Sequence, residues 1–255
     1  MILVGITDLK DGPEVLAPLL IKALGLTLQE GLSRLRGAGT GPIVIGNHQE
    51  RDRADAMAEA LREAGFSDVV VDDEDFAREA ACLEVRRFAF ETGGLRVEAS
   101  GGESLRLAPE DIGLIIRGTG IVSHEVSEKT KEKKFSAGLA IATQGLMTSK
   151  TVERTKVTTV QEREGFAHVY TAEGRVIEFR ETRIDYSSLG ALKQPTRLLN
   201  FARTVTELSR FAPDSIYDER LLTRNSQAQL LGPVLSPETH LMNACALLAK
   251  ALIPA

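Results

Sequence analysis

Leu24-Gly25-Leu26-Thr27-Leu28-Gln29-Glu30 holds a helix stop and a helix start within one short stretch. Upstream of it, Val15, Leu16, Leu19, Leu20 and Ala23 recur at helical spacing and define one apolar face. Gly25 ends that helix. Thr27 with Glu30 three residues on is a capping box, so a second helix starts here, with Leu28, Leu32 and Leu35 inward. Reading outward to the N-terminal side, Asp11-Gly12-Pro13 opens the first helix, with proline in the first turn where its missing N–H costs nothing. Before it, Ile2 to Thr7 is an apolar run of strand length. On the other side, the loop Gly37-Ala38-Gly39-Thr40-Gly41 leads into the strand Pro42-Ile43-Val44-Ile45. A third helix spans about Gln49 to Ala64, with Ala54, Met57, Leu61 and Ala64 on one face and Gly65 at the left-handed position that closes it. Asp68-Val69-Val70-Val71 is the last strand. The predicted order over residues 1–76 is β-α-α-β-α-β.

That order, with Leu24 to Glu30 and with Ala56-Met57-Ala58-Glu59-Ala60-Leu61-Arg62-Glu63-Ala64-Gly65 before a strand, resembles the C-terminal domain of the bacterial ribosomal stalk protein. The resemblance covers roughly residues 2–72. In that family the paired helices form a docking face for translation factors that uses several basic residues, whereas the first helix here offers Lys22 among Leu, Ile and Ala. The adaptor of the Clp protease has a related topology. Both resemblances imply protein binding as the use of the scaffold.

Asp72-Asp73-Glu74-Asp75 reads as a solvated acidic linker, and Phe76 to Leu83 as a short bridging helix. From Val85 the period changes to two. Val85 to Phe90 alternates, Thr92-Gly93-Gly94 turns the chain, and Leu95 to Ala99 returns it as a hairpin. Ile112 to Ile116 is a strongly apolar strand, Ala172-Glu173-Gly174 joins a second hairpin, and Ile184 marks a further short strand. A helix from near Pro195, with Leu198, Phe201, Val205, Leu208 and Phe211 at helical spacing, ends at Pro213. Ser236-Pro237-Glu238 caps a final helix with Leu241, Cys245, Leu248 and Leu252 along one stripe, packed on its own domain or on a partner. Meandering strands closed by a helix look like a pleckstrin-homology-type barrel. The expected fold class is α+β: a βααβαβ domain at 1–76, then an antiparallel β-rich, barrel-like domain at 84–255 that carries an insert at 121–160 and C-terminal helices.

Composition narrows the function. The chain has 255 residues and net charge −5, with fifteen acidic against eight basic residues in positions 1–83. With no Trp and 5% aromatic residues, neither phosphate contacts nor base stacking is well supplied, so no nucleic-acid partner is expected. No apolar stretch approaches the roughly 20 residues of a membrane span, and the N-terminus lacks a signal-peptide pattern, which together place the chain in the cytoplasm. Cys82 and Cys245 match no metal spacing or CxxC pair and read as reduced thiols. His48, His124, His168 and His240 lie in different elements, with no HExxH, HxH or Cys/His cluster, and no GxSxG or Walker loop is present. The glycine loop at 37–41 leaves a helix and enters a strand, the reverse of a dinucleotide fingerprint. No metal, cofactor or catalytic residue is expected on these grounds.

The segment that breaks the pattern is basic. From His124 to Lys156 there are seven basic and four acidic residues, and Lys129, Lys131, Lys133 and Lys134 precede the apolar Phe135, Leu139 and Ile141. Those seven residues are the candidate partner-binding site, against the plainer reading of a solvated turn, helix and strand. A membrane-surface contact is a further reading, weakened by Gly138 and Gly145. The function expected is that of a non-catalytic interaction or adaptor protein with a protein partner or self-association. An enzyme with its site between the domains, or a self-assembling structural subunit, are the alternatives.

Overall fold

The structure, a computed structural model, describes residues 1–36, 39, 41–135 and 149–253. The chain is α+β and falls into two compact units, residues 1–120 with 164–255, and residues 121–163.

In the first unit β1 (Ile2–Ile6) lies between β2 (Ile43–His48) and β3 (Asp68–Val71), antiparallel to both. All five β1 residues are buried. Side chains alternate along a strand, so continuous burial means cover on both faces. Ile2, Val4 and Ile6 face α1 (Pro13–Leu24), α2 (Leu28–Arg36) and α3 (Arg51–Glu63), packing with Leu16, Leu20, Leu35 and Leu61. Leu3 belongs to a different cluster, with Val44, Val69 and Val71. Gly5 faces the same way, and a Cβ there would stand 2.8 Å from the Ile43 carbonyl oxygen and 3.2 Å from Cδ1 of Leu247.

The capping box forms as read. The Thr27 amide donates to Oε2 of Glu30 at 2.8 Å and the Glu30 amide to Oγ1 of Thr27 at 3.3 Å. Gly25 closes α1 with φ 65°. The inward faces are narrower than expected: Leu16, Ala17, Leu20 and Leu35 are buried, but Val15, Leu19 and Leu28 are exposed. Leu28 is the first residue of α2, where the buried stripe has not yet come round.

The acidic run is a helix start rather than a linker. Asp72 caps α4 (Asp73–Ala80), accepting from the amides of Glu74 and Asp75, while Asp75 accepts from the Asp72 amide at 3.1 Å. Carboxylates suit this end of a helix because the free N–H groups concentrate positive charge there.

The larger sheet has the order β10-β7-β8-β9-β4-β5-β6. Its strands are β4 (Leu83–Glu91), β5 (Gly94–Ala99), β6 (Ser104–Leu107), β7 (Ile112–Phe135), β8 (Ser149–Thr171), β9 (Val176–Arg180) and β10 (Ile216–Leu221). Two pairs, β10–β7 and β4–β9, are parallel. Among the described residues the sheet stays open, which corrects the barrel-like expectation. Both of its faces carry helices, so neither needs to curl inward on itself. One face packs Ile115, Val169, Ile177 and Phe179 against Phe201, Val205 and Leu208 of α5 (Arg197–Phe211). The other packs Leu114, Ile116, Phe166 and Tyr170 against α6 (Arg224–Leu231) and α7 (Leu241–Leu252). Ile184 adds no strand, and its neighbour Asp185 makes a single bridge to Arg87. The strand β10 and the helix α6 were not read from the sequence.

The final helix is central. Ala244, Cys245, Ala246, Leu247 and Leu248 are all buried, so α7 is covered well beyond the single stripe expected. It packs in one cluster with Leu3, Val44 and Val71 of the small sheet and with Leu114, Phe166 and Leu221 of the large one. Across the expected boundary between 1–76 and 84–255 this cluster is shared, whereas the other two lie wholly on one side each. The second unit, 121–163, spans the expected insert and contains the later part of β7 and the earlier part of β8, which are neighbours in the sheet.

Two stability outcomes follow. Leu247→Ala, at the contact with Gly5, is expected to lower unfolding free energy by about 2–5 kcal/mol in urea titrations. Thr27→Ala, on the exposed α2 start, is expected to cost about 0.5–2 kcal/mol. Coincident midpoints for wild type and Thr27→Ala would refute the cap's contribution.

Candidate functional site

A cluster of ionisable side chains lies inside the first unit, where α4, β8, β9 and α7 meet. Phe166, His168 and Tyr170 alternate along β8 and so share the strand face that packs toward α7. The aromatic rings follow one another, with centroids 5.1 Å apart for Phe166–His168 and 6.2 Å for His168–Tyr170. Glu178 stands directly opposite His168 in the β8–β9 register. This cross-strand pairing brings Oε1 of Glu178 to 3.3 Å from Nε2 of His168. Its Oε1 also lies 2.9 Å from the Arg180 guanidinium.

Helix α4 supplies the other carboxylate. Asp75 and Glu79 are four residues apart and lie on one helix face. Oε2 of Glu79 is 3.1 Å from Nδ1 of His168, while Asp75 pairs with Lys250 of α7 at 3.0 Å. Helix α7 adds Cys245, whose sulfur lies within 4.8 Å of ligand atoms of Glu79 and His168. Cys82, half-buried after α4, donates its thiol to Oε2 of Glu178 at 3.6 Å.

His168 and Cys245 are 0% exposed, Glu79 2% and Glu178 4%. Burial disfavours a charged imidazole, but the Cys245 sulfur and the carboxylates of Glu178 and Glu79 outweigh it and push the His168 pKa well above its usual value. Burial likewise opposes ionisation of Glu178, yet His168 and Arg180 hold its carboxyl down at about 2. Burial pushes the Cys245 thiol up, against the pull of His168. Cys82 is raised to about 11 by burial and by the Glu178 charge. The arrangement is an imidazole ring between the side chains of Glu79 and Glu178, with the Cys245 sulfur beside it.

A cavity of about 340 Å³ adjoins the cluster, lined by Asp75, Arg78, Glu79, Tyr170, Thr171 and Lys250 among others. The Tyr170 hydroxyl, in a residue 3% exposed, has no well-formed hydrogen bond among the described residues.

Of the residues singled out from the sequence, Lys129, Lys131, Lys133, Lys134 and Phe135 lie on β7 within the second unit. Leu139 and Ile141 lie outside the described residues. Conversely, Glu79, Glu178 and Cys245 were not singled out as functional residues, and His168 was assigned to no Cys/His cluster. Linear spacing gave no metal-ligand cluster, whereas folding gathers three ligand types in one place. One part was recoverable: a hairpin turning about Glu173 puts residue 168 opposite 178.

No known protein family, curated protein or solved structure matches the chain. The site is therefore interpreted from its own chemistry.

The depressed Glu178 pKa fixes the sign of an acid effect. The carboxylate contribution is complete above the unfolded value of about 4.5 and is lost as pH falls toward the folded value of about 2. Glu178→Gln is expected to lower stability at pH 7 by on the order of 3 kcal/mol, and to flatten the loss below pH about 4.5. Urea midpoints at neutral and acid pH measure both, and parallel acid limbs for variant and wild type refute the assignment.

Proposed function

We propose that the chain is a non-catalytic protein-interaction protein of the cytoplasm, which engages an acidic protein surface through residues 121–163. The observation that carries this reading is the separation of that segment as a compact unit whose described elements are two strands. A two-stranded ribbon is marginal by itself in water and gains stability against another surface. Strand edges are also ready templates for association. The segment carries eight basic and five acidic residues, against twenty-three and thirty-one in the remainder. It is therefore a +3 element in a chain of net charge −5, whose remainder carries −8. Opposite charge of this kind speeds encounter and selects partners.

The full burial of His168 and Cys245 supports the non-catalytic part. Unpaired thiols at Cys82 and Cys245 fit a reducing compartment. The stalk-type resemblance of residues 2–72 leans the same way, toward protein binding. A second copy of the chain, whose remainder is strongly acidic, is one surface of the required kind.

Affinity capture is expected to return one dominant acidic protein, or light scattering to give a mass well above 27.7 kDa if the partner is another copy. Reversing Lys131, Lys133 and Lys134 to Glu is expected to slow association about tenfold or more at low salt, with the melting temperature unchanged. Unaltered association by a variant that melts normally overturns the proposed surface.

A further inference from the structure

The contacts of the His168 ring with Glu79 and Glu178 account for those three residues, but for neither Cys245 nor Tyr170. The sulfur of Cys245 is fully buried and converges with Glu79 and His168, all ligand atoms lying within 4.8 Å of one another. The Tyr170 hydroxyl lies buried beside the Glu79 carboxyl group without a well-formed hydrogen bond among the described residues. A native interior seldom strands a polar group without a reason.

The geometry points to Glu79, His168 and Cys245 as a site for one zinc-class divalent ion that ties α4 and α7 to β8. Thiolate, imidazole and carboxylate are the donors Zn²⁺ takes, at bonds of about 2.0–2.3 Å in a tetrahedron. Donors on such an ion stand about 3.3–3.7 Å apart. The 3.1 Å separation of Nδ1 of His168 from Oε2 of Glu79 is already close to that edge. A sulfur donor argues against Mg²⁺ and Ca²⁺, which prefer oxygen.

The surroundings match what a metal-bound histidine needs. With Nδ1 on the ion, Nε2–H is left to donate to Oε1 of Glu178 at 3.3 Å, and Arg180 holds the same oxygen at 2.9 Å. Such a carboxylate orients the ring and raises its basicity toward the metal. The fourth position falls to a water from the adjoining cavity, which Glu79 and Tyr170 both line. That water gives the Tyr170 hydroxyl its partner. The ion is a tie between elements rather than a reagent, since its ligands are closed to solvent. This inference does not depend on the interaction surface at 121–163.

The test uses the full chain, stripped with a chelator and titrated with Co²⁺ alone. About one ion is expected to bind, giving tetrahedral visible bands and thiolate-to-cobalt charge transfer. Zn²⁺ is expected to displace it and to raise the melting temperature. Cys245→Ser is expected to abolish the charge transfer, and Glu178→Gln to weaken binding about 10–100-fold with the ligands intact. Cys82→Ser is expected to bind as wild type. Unfolding on chelation that Zn²⁺ reverses supports the site equally. Stripped wild type that stays folded and shows no charge transfer overturns it, as does binding that survives Cys245→Ser but is lost in Cys82→Ser. The wild-type spectrum decides the matter even if Cys245→Ser fails to fold.

Discussion

A strand buried on both faces cannot be satisfied by one layer of helices, and β1 is such a strand. Its even-numbered residues are covered locally by α1, α2 and α3, which follow within the next sixty or so residues of chain. Leu3 and Gly5 need cover from elsewhere, and α7 supplies it at the opposite end of the described chain. Because α7 is apolar well beyond one stripe, it needs a second apolar surface in turn. The α7-facing side of the large sheet provides that surface through Leu114, Ile116 and Phe166. The layering of the first unit follows from this chain of unmet faces. The close approach at Gly5, which leaves no room for a Cβ beside the Ile43 carbonyl, marks where the two ends of the chain interlock.

Polar groups in such a core need internal partners, because water does not reach them. The buried cluster meets that demand by geometry set at the level of secondary structure. His168 and Glu178 are cross-strand partners, Asp75 and Glu79 share a helix face, and Cys245 and Lys250 stand on the helix that meets both. Charges arranged in this way constrain how α4 and α7 sit on the sheet more sharply than apolar contacts do, since apolar contacts tolerate sliding. Removing one member leaves the others buried without compensation, which is why such clusters are costly to alter.

Much of the fold was legible because its signals are local. Thr27 and Glu30 announce a helix start, Gly25 and Gly65 take left-handed backbone, and the turns at Gly93 and Gly174 define hairpins. Errors arose where a local signal had two physical outcomes. Asp72 to Asp75 reads as a solvated run until one sees that a helix N-terminus stabilises the same charges. The change of period at Val85 is real and coincides with the first residue of the Val85–Ala212 cluster, yet another cluster joins residues on both sides of it. The cluster was less accessible, since Glu79 and His168 are separated by 89 residues and no spacing rule spans that distance. The His168–Glu178 pair was the exception, being fixed by hairpin register alone.

The placement of α7 also has a consequence in time. A ribosome completes β3 at Val71 long before it reaches Leu247, and at about 5–20 residues per second the interval is about 10–30 s. Throughout it the newly made β1–β2–β3 sheet presents Leu3, Val44, Val69 and Val71 with their permanent cover still unmade. An apolar sheet face waiting that long is open to non-native association until α7 is made, so its closure is a late step.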